Sequence, residues 1–175
     1  MSTIERKSAF VSRLFGRISR KYDYLNTVMT AGRHHYWRRI AVKIGLSDEK
    51  GIAVDLAAGT GDFSFELLKY NLIDQVVSLD ITPEMLDIAC VKSVDKNMQK
   101  KVNLIVGDSH FLPFNCDSFV CATVGFGVRN FEDVSMAILE IQRVLKPKGK
   151  AIILEIVKPE NPLMAKMFFM YFRRI

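Results

Sequence analysis

Residues 52–62 read Ile-Ala-Val-Asp-Leu-Ala-Ala-Gly-Thr-Gly-Asp, and no other stretch constrains the fold as tightly. A short apolar run closes on Asp55. A loop of small residues, Ala57 to Gly61, follows, and Asp62 opens a helix-like pattern from Phe63 to Tyr70. A strand, a tight turn and a helix start in that order place a ligand site at the carboxyl end of the strand. Glycines let the backbone approach a ligand with no Cβ in the way. The two acids select the ligand. Carboxylates in the cradle repel a dinucleotide pyrophosphate. They favour a cofactor that carries a sulfonium and an ammonium but no phosphate, which is the charge pattern of S-adenosyl-L-methionine. A Gly-x-Gly pair by itself is equally an ordinary strand–helix turn.

Hydrophobic spacing organises the rest of the chain. It predicts a helix over about 4–20, carrying Ile4, Phe10, Val11, Leu14, Phe15 and Ile18 with a basic opposite face, and a second helix over about 34–45. Strands are expected at 52–56, 76–79, 102–106, 119–124 and 151–157. Helices are expected at 62–70, after Thr82-Pro83-Glu84, and at 131–145. Lys146 to Gly149 reads as a turn, and an apolar helix is expected over Leu163 to Phe172. Continuous apolar strands alternating with helices indicate an α/β fold, a mostly parallel sheet covered on both faces. Thr82 is expected to cap the helix opened by Pro83.

Three cysteines, Cys90, Cys116 and Cys121, lack metal-ligand spacing, and their odd number argues against a disulfide framework. That reading favours a reducing, cytoplasmic compartment, with no signal peptide at the N-terminus. The net charge is +6, with basic residues crowded into positions 6–43 and 146–174. Such clusters serve an anionic surface or nucleic acid, or are solvated helix faces.

Further acids fall at strand ends. Asp80 closes the second predicted strand, about 20 residues past the glycine loop, where a carboxylate suits ribose hydroxyls. Asp108, in Gly107-Asp108-Ser109, stands beside the same crevice. Phe111, Leu112, Pro113 and Phe114 either wall an adenine or pack in the core. Gly125-Phe126-Gly127-Val128-Arg129-Asn130 puts an Arg-Asn pair at the crevice mouth.

Asp-x-Ala-x-Gly-Thr-Gly-Asp is similar to motif I of the S-adenosyl-L-methionine-dependent methyltransferases. A narrower resemblance covers nearly the whole chain. Tyr22-Asp23-Tyr24-Leu25-Asn26, with Gly32, His34 and Trp37-Arg38-Arg39, resembles the N-terminal signature of the ubiquinone/menaquinone biosynthesis C-methyltransferase (UbiE-type) family. Gly107-Asp108-Ser109 with Leu112-Pro113-Phe114, Phe126 to Asn130, and Arg143 through Glu155 resemble its later motifs. The resemblance implies a Rossmann-like class I methyltransferase core over 47–160, an N-terminal helical lid over 1–46 and an apolar C-terminal helix over 161–175. It implies methylation of a ring carbon of a polyprenylated quinol. S-adenosyl-L-methionine would be held by Asp55, Ala57, Gly59, Thr60, Gly61, Asp80, Ile81, Asp108, Ser109 and Gly125. Tyr22, Asp23, Arg129 and Asn130 would face the quinol, with Arg129 stabilising the phenolate and Tyr22 or Asp23 placing a water or relaying the proton. His34 would be structural, and no metal is required.

Other readings stay open at this stage. A methyltransferase acting on RNA or another small molecule is one, although aromatics do not interleave with the basic residues. A cofactor-binding subunit without turnover is another. The basic N-terminus and apolar tail suit peripheral membrane contact. Gly125 stands where many relatives carry serine, and Thr30, Lys148 and Val157 are milder departures. Relatives continue past the position of Ile175 with a final pair of strands. Without those strands the fifth strand is expected to be an open edge that favours a homo-oligomer.

Overall fold

The computed structural model describes the backbone of residues 3–157 and the side chains of residues 7–157. The expected helix over Leu163–Phe172 and the segment 161–175 lie outside the described residues.

Five parallel strands form one sheet in the order β3-β2-β1-β4-β5. The strands are β1 (Gly51–Leu56), β2 (Ile73–Asp80), β3 (Val102–Val106), β4 (Phe119–Gly125) and β5 (Leu145–Leu154). The helices are α1 (Thr3–Thr30), α2 (Arg33–Gly45), α3 (Asp62–Leu67), α4 (Pro83–Asp95) and α5 (Val134–Val144), with a 3-10 turn at Val128–Asn130. The apolar runs of β1 and β4 are buried because both sheet faces are covered. On one face Val42, Ala53, Phe63, Phe65, Leu67, Val76, Val120 and Ile152 form a core. On the other, Val54, Leu56, Leu79, Phe119, Val124, Ile141 and Val144 do so. Alternation along β1 divides its side chains between the two. Asp55 therefore shares the α3 face with Ala53.

Three local expectations are corrected. First, α1 does not end near residue 20 but runs unbroken to Thr30. Tyr22, Leu25, Asn26 and Met29 continue the half-buried side of the helix. Thr27 and Thr30 donate their hydroxyls to the carbonyls four residues back, at 2.8 and 2.6 Å, which keeps these weak helix formers in place. The stop comes at Ala31 and Gly32, both left-handed, where Gly32 N–H bonds the Thr27 carbonyl at 2.8 Å. Second, α3 ends at Leu67, three residues early, in tight turns through Tyr70. Third, Lys146–Gly149 is looped out inside β5. The register jumps from Phe119–Leu145 to Cys121–Lys150, with Lys148 at φ 70°. Among the described residues β5 pairs with β4 alone.

Gly51 opens β1 where a Cβ would stand 2.8 Å from Cγ1 of the buried Val120. Valine is stiff at χ1 and cannot turn away cheaply. Gly51→Ala should therefore lower the unfolding free energy by about 1–3 kcal/mol, read as a reduced midpoint in urea with the slope unchanged.

Candidate active site

The carboxyl ends of β1, β2, β3 and β4 open into one cleft. Its floor is the loop after β1. Ala57, Gly59 and Gly61 all adopt positive φ, at 49°, 56° and 81°, so the chain folds back on itself within five residues. Asp80, at the end of β2, holds that loop. Its Oδ2 accepts from Gly59 N–H and its Oδ1 from Thr82 N–H, both at 2.8 Å. Burial nonetheless raises the Asp80 pKa above the ordinary carboxylate value, against these bonds. The expected Thr82 cap is not made: its side chain bonds nothing at the α4 terminus, and the Asp80 carboxylate takes the Thr82 amide instead.

Of the residues singled out from sequence, Ala57, Gly59, Asp80, Ile81, Asp108, Ser109, Gly125, Tyr22 and Asn130 line this cleft together. Asp55, Thr60, Gly61, Asp23 and Arg129 do not. Asp55 lies beneath the loop, 1% exposed. It accepts from Ser64 N–H at 3.0 Å, Ser64 Oγ at 2.7 Å and Thr123 Oγ1 at 2.7 Å, joining β1, α3 and β4. Burial pushes its pKa up to about 6 despite those donors. Arg129 stands on the surface, its Nη2 on Glu155 Oε1 at 2.5 Å. Leu112 and Phe114 pack in the core with Phe119, and Phe111 is exposed, so none of the three walls the cleft.

The charge argument changes as well. Asp62 does not offer its charge to a ligand. Lys92 Nζ meets its Oδ1 at 2.5 Å, and Arg38 Nη1 lies 3.6 Å from Oδ2. Burial alone would raise this carboxyl, but Lys92 and Arg38 outweigh it and hold it below the ordinary range. His34, His35 and Asp62 come within 4.8 Å of one another, the spacing of a metal site. Two cations already occupy that corner, and His34 Nδ1 takes a hydrogen bond from Arg38 at 2.6 Å. Asp80 and Asp108 remain as the acids that line the cleft.

Several lining residues were not foreseen: Ser8, Val11 and Phe15 of α1, Met85, His110, Phe126 and Phe131. His110 Nε2 accepts from Asp133 N–H at 3.1 Å, which leaves the proton on Nδ1, donated to Asp108 Oδ1 at 2.5 Å. Phe126, at φ 62°, is a bulky residue in the left-handed region. Such strain is held by its surroundings and clusters at functional sites. Arg38 lies over its ring, 5.1 Å from the centroid. Gly125 has a packing reason: a Cβ there would fall 2.7 Å from Phe63 Cδ2.

The comparisons with known proteins bear on this cleft. Residues 2–175 match the model of the ubiE/COQ5 methyltransferase family. The chain belongs to this family. It is 36% identical over 177 residues to the ubiquinone/menaquinone biosynthesis C-methyltransferase UbiE of Geobacter sp. (strain M21), covering all of this chain and 75% of the relative. It is 38% identical over 164 residues to the demethylmenaquinone methyltransferase of Lactobacillus johnsonii, covering 93% of this chain and 67% of that one. The solved mmp1179 protein of Methanococcus maripaludis matches with TM-score 0.72 over 91% of this chain and 71% of its own, at 21% identity. That likeness concerns the fold alone. Family membership makes the chain an enzyme of the methyltransferase class.

Buried His34 is held neutral. Burial first, then His35 and Arg38, lower its pKa to about 4. Its unfolded form binds a proton below about 6.5, so its contribution to stability falls as pH drops from about 6.5 to about 4. Asp55 contributes with the opposite sign, stabilising more as pH falls through about 6. His34→Asn keeps an acceptor for Arg38 but no titrating group. Thermal melts from pH 7 to 4.5 should show the variant losing less stability than the wild type, by on the order of 2 kcal/mol at the acid end.

Proposed function

We propose that the chain transfers a methyl group from S-adenosyl-L-methionine to a ring carbon of a polyprenylated quinol, in menaquinone or ubiquinone biosynthesis. The observation that carries this is the continuity of one cleft. Gly59, Asp80, Ile81 and Asp108 line it on the loop side, and Tyr22, Asn130, Val11, Phe15 and Phe131 line it opposite. The printed names of the Geobacter and Lactobacillus relatives concern the same quinones.

The loop side fits the cofactor. At Gly59 a Cβ would meet only the Tyr22 ring, at 3.8 Å from Cε1. Asp80 keeps lone pairs beyond its two amide bonds for a ribose diol. Asp108 also lines this side, where its carboxylate or a backbone group would accept from an adenine amine. When bound, S-adenosyl-L-methionine supplies an electrophilic methyl on sulfur. The chain must align the ring carbon with that methyl, exclude water, and favour the quinol's phenolate. Burial raises the Tyr22 pKa above the ordinary phenol value, so its hydroxyl stays protonated, and on the cleft wall it would donate to a developing phenolate. The Asn130 amide adds a second donor on the same wall. Arg129 is one residue away on the rim and reaches a quinol oxygen only by leaving Glu155.

The decisive assay pairs labelled S-adenosyl-L-methionine with a short-chain demethylmenaquinol. Label on the ring carbon is expected, and Tyr22→Phe should lower kcat about 10²-fold or more while leaving cofactor affinity within a few-fold. Cofactor binding without product would point to a chain that binds without turnover or to a different quinol, and no cofactor binding would reject the methyltransferase reading of the loop.

The outer face of α1 supports peripheral contact with an anionic membrane. Phe10, Leu14, Arg17, Lys21 and Tyr24 form one exposed stripe along the helix, with Phe10 60% and Tyr24 70% exposed. Val11 and Phe15 on the inner face line the cleft. Among the described residues no helix is long and apolar enough to cross a membrane. Binding to vesicles containing phosphatidylglycerol should exceed binding to phosphatidylcholine and weaken with salt. Reversing Arg17 and Lys21 to Glu should reduce it about tenfold or more.

A further inference from the structure

The Asp23 carboxylate is turned away from the cleft it was expected to serve. Its Oδ1 accepts from Thr60 Oγ1 at 2.6 Å and its Oδ2 from Lys92 Nζ at 3.0 Å. Lys92 also donates to Thr60 Oγ1 at 3.1 Å and to Asp62 Oδ1 at 2.5 Å. An ammonium has three protons, and all three are used. The three acceptors come from α1, the glycine loop and the first turn of α3, while Lys92 itself is on α4. Lys92 and Asp62 are largely buried, with side chains 19% and 12% exposed. A cation so placed is screened little by solvent, and its loss leaves Asp62 with Arg38 alone and Asp23 with the Thr60 hydroxyl alone.

Tyr22 adjoins Asp23, and its ring packs over Gly59. Fixing Asp23 therefore fixes the wall that α1 presents to the loop. We propose that Lys92 is a positioning residue for this reaction. Through Asp23, Thr60 and Asp62 it clamps α1 onto the glycine loop, so that Tyr22 separates the cofactor side of the cleft from the substrate side. Asp23 belongs to the clamp and neither relays a proton nor touches the quinol. The inference rests on the reading that the loop holds S-adenosyl-L-methionine.

The cofactor-free full chain tests the clamp directly by amide hydrogen exchange. In Lys92→Met, exchange should rise in residues 18–26 and 57–61, while β1, β2 and β4 keep wild-type protection. Calorimetric titration with S-adenosyl-L-methionine should show affinity weakened about tenfold or more. Lys92→Arg should restore most of both. If Lys92→Met does not fold, Asp23→Asn carries the same comparison, because it leaves the Lys92–Asp62 pair intact. Unchanged exchange in α1, or a uniform rise across the whole sheet, would overturn the proposal. If the wild-type protein fails to bind S-adenosyl-L-methionine, the functional reading fails, while the exchange pattern still decides the clamp.

Discussion

The position of β1 sets everything else about the site. It is paired in parallel on both sides, with β2 and with β4. The connections from these neighbours diverge to opposite ends of the sheet, since the strand order reverses at this point. A crevice must open there, outside the carboxyl ends of the central strands. The loop that leaves β1 has to turn within that crevice to start α3 on one face. Its three positive-φ residues are the local answer, and Ala57 accepts the conformation despite its Cβ. Asp55 ties the turn to both neighbours from below, through Ser64 and Thr123. Asp80 ties it from the side through Gly59.

Charge around the loop is arranged in two tiers. Asp55 and Asp62 serve the protein, one through hydroxyl and amide donors, the other through Lys92 and Arg38. Asp80 and Asp108 reach the cleft. The lower tier holds the loop in shape without projecting charge into the cleft, because each carboxylate is compensated within hydrogen-bond distance. A buried charge tolerates nothing less. The upper tier keeps acceptor capacity for a ligand. His110 steadies Asp108 from behind, while Asp133, which supplies the amide to His110, also caps α5 through its side chain on Met136 N–H.

The long helix α1 makes the cleft a chamber rather than an open groove. Its inner face brings Val11, Phe15 and Tyr22 over the carboxyl ends of the strands. Lys7 Nζ reaches the Phe131 carbonyl at 2.6 Å, and Ser12 Oγ reaches that of Ile81 at 3.4 Å. The helix is thus held along its length to two different rims. The same element turns an apolar and basic stripe outward.

By itself the sequence determined the layout. Apolar runs that must bury both faces require a covered parallel sheet, and small residues after the first run require a turn that admits a ligand. Those are local demands of sterics and burial, and they locate Gly59, Asp80, Asp108 and Gly125 without knowledge of their neighbours. Lys92 was not singled out from the sequence, although it stands seven residues from Met85 on the side of α4 that packs inward. Tertiary structure alone decided where each charge points. Asp55 and Asp80 share one face of the sheet, yet Asp55 pairs beside Ser78 beneath the loop while Asp80, two residues further along β2, reaches the cleft. Asp23 and Tyr22 are consecutive, yet the roughly 100° between successive residues on a helix turns one to Lys92 and the other to the cleft. Which carboxylate faces a ligand depends on cations 24 to 69 residues away in the chain, Arg38 and Lys92 among them. Only folding brings those within reach.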